Sequence, residues 1–138
     1  MIALQYLLVA GWAVWLGTIV FFSFVIAPTA FSALGREGAA PLMRAVFPRY
    51  YLVGLISGGT ALAAALALDL DMRVTAPLLA SLVLAAYARQ VITPAVNTAR
   101  DSRDDTRFAR LHGLSVRLNL IVLALLLLVG TVVAGIVR

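Results

Sequence analysis

The chain predicts an all-α integral membrane protein, a bundle of four transmembrane helices, with two parallel helical-hairpin repeats as a finer reading. Three observations carry this. Of 138 residues, 63% are hydrophobic and only 12% charged, where a soluble domain has roughly 25% charged residues. The mean hydropathy is +1.03, more apolar surface than a chain of this length could hide from water. The polar residues gather in short breaks between long apolar runs. The whole chain, 1–138, is expected to form one domain.

The first helix is expected at about 2–34. No charge occurs before Arg36, and a spanning helix needs only about 20 apolar residues. The segment lacks a basic start and a small-residue cleavage site, so it is expected to stay in the mature protein. Pro28 should kink it, because proline removes one backbone bond. Phe21, Phe24, Pro28 and Phe31 share one face, which suits lipid contact and packing, or a face for stacking a ligand.

Gly35-Arg-Glu-Gly38 reads as a polar turn, and Pro41 suits a helix start. The second helix is expected at about 42–68. Its first turns carry Arg44, Phe47, Pro48, Arg49, Tyr50 and Tyr51, the residues a headgroup boundary selects. Deeper in, Gly54 and Gly58 form a G-x-x-x-G that permits close helix contact in lipid. The break at Asp69, Asp71 and Arg73 is so short that the second and third helices must be antiparallel neighbours. The third helix is expected at about 75–97. Arg89 falls near the inner edge of the hydrocarbon and is expected to snorkel to the interface. The stretch from Asn97 to Asp105 reads as a solvated loop, and the fourth helix as about 106–137.

Arginine counting gives the orientation. Arg36, Arg44, Arg49, Arg89, Arg100, Arg103, Arg107, Arg110 and Arg117 fall on one side, against Arg73 and Arg138 on the other. By the positive-inside rule the Arg-rich loops are cytoplasmic and both termini outside. The same clustering explains the basic pI without nucleic acid, which is not expected as a partner. A shift of 66 residues lays Ile26 and Pro28 on Ile92 and Pro94, Arg44 on Arg110 and Leu52 on Leu118, the basis for the two-repeat reading.

The candidate site is a polar cluster at the cytoplasmic side. Gln90, Thr93 and Asn97 share one helix face, and His112, Ser115 and Asn119 repeat that spacing on the next helix. His112 could ligate haem or a metal, or bond structurally to Asn97, Thr93 or a carbonyl freed by Pro94. The chain has one His and no Cys, so no complete metal site, cofactor or catalytic residue is expected. No acidic residue lies within a span, which argues against a carboxylate-driven proton pump. Arg49, Arg89 and Arg117 are candidates for contact with anionic lipid headgroups.

The motifs I-A-P-x-x-F at Ile26 to Phe31, V-F-P-R-Y-Y at Val46 to Tyr51, I-T-P-A-V-N at Ile92 to Asn97 and F-A-R-L-H-G-L-S-V-R-L-N at Phe108 to Asn119 run the length of the chain. Together they resemble the bacterial branch of the transmembrane-protein-205-like family, a four-helix membrane domain distantly similar to copper-resistance protein D. The matching positions are Pro28, Phe31, Phe47, Pro48, Pro94, Asn97, Phe108, His112, Ser115 and Asn119. The resemblance implies a bacterial inner-membrane protein and carries no catalytic residues over. The function expected is a transporter or permeation-type protein in the bilayer, assembled as a homo-oligomer. A haem- or metal-binding protein using His112, and a non-catalytic lipid-binding scaffold, are the alternatives.

Overall fold

The computed structural model describes residues 1–136, and every described element is helical. Val137 and Arg138, the expected end of the last helix and one of the counted arginines, lie outside the described residues. Three continuous helical runs are long and apolar enough to cross a membrane: Ile2–Ala67, Met72–Asp101 and Asp105–Gly135. The first run comprises α1 (Ile2–Phe21), a π turn (Phe22–Ile26) and α2 (Ala27–Ala67). The second comprises α3 (Met72–Tyr87), a second π turn (Ala88–Ile92) and α4 (Thr93–Asp101). The third is α5 (Asp105–Ile136).

Four separate helices were the expectation, and three runs are what the chain forms. The difference lies at Gly35. It has φ 67 and ψ 177 and is the one non-helical residue inside α2, in a backbone region open essentially only to glycine. A single residue does the work assigned to a polar loop, and residues 36–41 are helical. The run nevertheless folds back there. Gly11 lies against Ser57 and Ala61, Trp15 against Gly54 and Gly58, and Phe22 against Phe47 and Tyr50. Later residues of one arm meet earlier residues of the other, so the arms are antiparallel.

Other boundaries also move. The second run starts at Met72, not near 75, because the Asp71 carboxylate accepts the Arg73 N–H at 2.7 Å and caps the helix. This contact holds the Asp71 carboxyl below the usual carboxylate range. The solvated loop expected from Asn97 is helix as far as Asp101, and only Ser102–Asp104 turn. Two helix ends close alike. Asp69 and Arg103 adopt left-handed φ of 54°. Leu70 N–H then reaches Ala65 O, and Asp104 N–H reaches Ala99 O, each at 3.0 Å, the pattern that satisfies a helix's last carbonyls.

The core is made by small residues receiving large ones. A Cβ on Gly54 or Gly58 would collide with the Trp15 indole, so this G-x-x-x-G is filled from within the chain. Trp12 serves the other side. Its Nε1 donates to Leu126 O at 2.7 Å, and a Cβ on Gly130 would come within 2.6 Å of its ring. Leu8, Ile19, Leu78, Leu126, Val74 and Val129 complete the buried interior.

The π turns begin at positions 22 and 88, a shift of 66, and each ends two residues before a proline, Pro28 or Pro94. Proline brings no N–H and crowds the carbonyl four residues back. The helix widens instead. Ala27 N–H reaches Phe22 O and Thr93 N–H reaches Ala88 O, each five residues back.

Candidate functional site

The first π turn contributes Phe22, Ser23 and Phe24 to the wall of a chamber of about 340 Å³, and the second ends one residue before the lining Thr93. The chamber's aromatic wall is Phe22, Phe24, Phe31, Phe47 and Tyr51, and its polar wall is Thr93, Asn97, His112, Ser115 and Asn119. Five of the six polar residues singled out from the sequence therefore meet here. Gln90, the sixth, is exposed and does not line the chamber. Such a space, mostly apolar with a few convergent polar groups, is the usual form of a small-ligand site, and π turns often accompany one.

One side of the chamber is tied by hydrogen bonds. Tyr50 OH donates to Asn119 Oδ1 at 2.5 Å, and Asn119 Nδ2 donates to Ser23 Oγ at 3.1 Å. Asn119 thus joins α5 to both arms of the first run. Tyr51 OH lies 3.5 Å from Ser115 Oγ. Both tyrosines are buried and turn inward: their rings pack with Phe22 and Phe47.

The opposite side keeps polar groups free. Among the described residues neither Asn97 nor His112 makes a side-chain hydrogen bond. The His112 ring stacks on Phe108 at 5.7 Å and 5°, so it does not repair the proline break. The Thr93 hydroxyl donates to Ala88 O at 2.9 Å, a carbonyl that the Thr93 N–H also reaches. Arg100 lies over the other member of that stack, its Cζ 4.8 Å from the Phe108 centroid. Arg44 pairs with Asp101 at 2.5 Å, closing α2 against α4. Both Arg44 and Arg100 line the chamber.

The arginines proposed from the sequence as lipid contacts lie elsewhere. Arg49 donates to Ala45 O of its own helix at 2.7 Å. Arg89 donates through Nε to Pro48 O at 3.3 Å, so a neighbouring helix holds it rather than a lone reach to the interface. Arg117 is exposed. Pro28, Pro48 and Pro94 shape the helices without lining the chamber; Phe31 and Phe47 line it.

Sequence reasoning missed Phe22, Ser23, Arg44 and Arg100 as wall residues and Tyr50 as a tie. One signal was present for Ser23, a hydroxyl five residues before a proline in a charge-free run. For metal binding the residues present offer little. Among the described residues no three His, Cys, Asp or Glu side chains group together.

A family model described as a domain of unknown function, DUF4149, matches residues 10–105. It covers the Gly35 fold-back and both π turns and stops short of His112, Ser115 and Asn119. An uncharacterized protein of Aquifex aeolicus (strain VF5) is 31% identical over 107 residues, spanning 78% of this chain and 79% of that protein. No solved structure matches. On the extent of both matches, the chain belongs to the DUF4149 family.

Proposed function

We propose that the protein crosses the bacterial inner membrane four times and holds a small, largely apolar ligand in the chamber at its Arg-rich, cytoplasmic end, as a carrier or permeation-type protein. A straight helix over Ile2–Ala67 would be about 100 Å long, some three bilayer cores. Folded at Gly35, it supplies two spans of ordinary length. The Arg44–Asp101 pair joins the two Arg-rich turns at one end, which fits a common cytoplasmic side. The recurrence of a π turn and proline after 66 residues supports two parallel hairpin repeats. A homo-oligomer stays part of this reading, because one small bundle encloses little of a pathway.

The observation that carries the ligand reading is the chamber itself, with Asn97 and His112 facing it unpartnered. The chain has no Cys, so single cysteines test it cleanly. Ser115→Cys in membrane vesicles is expected to react readily with N-ethylmaleimide, and Ala61→Cys, packed against Gly11, to resist. Equal resistance at both positions would remove the chamber and the proposal with it.

A second reading rests on Met43, which lines the same chamber as His112. A thioether and an imidazole suit Cu(I). Purified protein incubated with Cu(I) should then retain metal that both Met43→Leu and His112→Ala lose.

A further inference from the structure

We infer that the chamber takes a single-chain amphiphile with an anionic head, and that it loads sideways from the bilayer. The inference rests on the chamber being a ligand site, as proposed above.

The lateral entry comes from exposure. Four chamber residues are apolar and also face outward: Phe24 at 65%, Phe31 at 37%, Val116 at 46% and Leu120 at 54% exposed. Phe24 and Phe31 belong to the first run and Val116 and Leu120 to α5, so they form the two lips of one slot. Hydrocarbon on both lips suits lipid chains, and the exposed Arg44 and His112 mark the polar end of the same opening. Beside it, Asn119 binds Ser23 and holds the two helices together.

The head group follows from charge. Arg44 and Arg100 line the same space. Asp101 neutralises Arg44, whereas Arg100 meets only the face of Phe108 and among the described residues has no carboxylate partner. One uncompensated guanidinium therefore looks into the chamber, beside the free amide of Asn97 and the imidazole of His112. A guanidinium, an amide N–H and an imidazole N–H all donate to a carboxylate or phosphate oxygen. The volume limits the tail. About 340 Å³ stands at the low end of ligand pockets and leaves room for one chain, not the two of a bilayer phospholipid.

The test is native mass spectrometry of the delipidated full-length protein with dodecanoate, dodecanol or acetate. Dodecanoate is expected to bind one per chain, about tenfold more tightly than dodecanol, the size of a single charge-assisted contact. Acetate is expected not to bind. Arg100→Gln should remove that tenfold preference and Arg100→Lys restore most of it. Asp101→Asn should strengthen dodecanoate binding by releasing Arg44. Equal binding of dodecanoate and dodecanol would overturn the anionic head while leaving a ligand chamber intact. Acetate binding as well as dodecanoate would overturn the lateral, lipid-borne source. Weaker dodecanoate binding in Asp101→Asn would overturn the charge assignment. No binding by any probe, with Ser115→Cys still reactive, would sink this inference alone; an unreactive Ser115→Cys would sink the chamber too.

Discussion

The Tyr50 hydroxyl donates to Asn119 Oδ1 across 2.5 Å, and Asn119 passes the contact on to Ser23. One amide thereby joins three helical segments beside the chamber. In hydrocarbon no water replaces a lost partner, although measured side-chain bonds between membrane helices are modest. Asn119→Ala strands the Tyr50 hydroxyl and is expected to cost about 1–2 kcal/mol. Tyr50→Phe removes only the bond to Asn119, leaves Asn119 bound to Ser23, and should fall between wild type and Asn119→Ala. Chemical denaturation in detergent measures both. A Tyr50→Phe variant as stable as wild type would show that the Tyr50 bond contributes nothing.

The chamber was partly legible because helical spacing is a geometric fact of sequence. Asn97, His112, Ser115 and Asn119 had to lie on two stripes, and they meet. Tyr50 and Tyr51 were not legible, because arginine beside tyrosine reads as an interface belt whether the rings face headgroups or, as here, one another. Gly35 was illegible for another reason. Gly-Arg-Glu-Gly looks like a loop, and nothing local says that one of its glycines turns the chain alone while the other stays helical. The π turns needed more than Pro28 and Pro94 to foresee, since a proline kinks one helix and widens another according to what packs around it.

Trp15 against Gly58 gives a second prediction. A Cβ at Gly58 would sit inside the indole ring, while one at Gly59 would meet nothing within 4 Å. Gly58→Ala is expected to destabilise by about 1–3 kcal/mol through overpacking. Gly59→Ala, helical and unobstructed, should be neutral or slightly stabilising, since alanine favours helix by about 1 kcal/mol over glycine. The pair separates packing from propensity. Similar losses in both would mean that the two arms do not meet as described.

Gly35 supplies a third. Its Cβ would be unobstructed, so any cost of Gly35→Ala is backbone strain alone. The φ of 67 with ψ of 177 is expected to cost an alanine about 1–3 kcal/mol. Gly113→Ala, in a helical position with equal space, is the control and should not destabilise. If Gly35→Ala is as stable as wild type, the fold-back uses another residue.

Arg103 gives the fourth, and its sign is opposite. It holds a left-handed φ of 54 at the end of α4, a conformation that costs an ordinary L-residue about 1–2 kcal/mol. Glycine adopts it freely but loses more chain entropy on folding. Arg103→Gly should therefore stabilise by somewhat less than the full strain, about 0.5–1 kcal/mol. Asp69 has the same φ at the end of α2, yet aspartate tolerates that region better than arginine, so Asp69→Gly should gain less. Thermal midpoints of the two variants in the same detergent rank them. If Asp69→Gly gains as much as Arg103→Gly, the difference in side-chain tolerance does not operate at these turns, and their shared backbone geometry alone sets the strain.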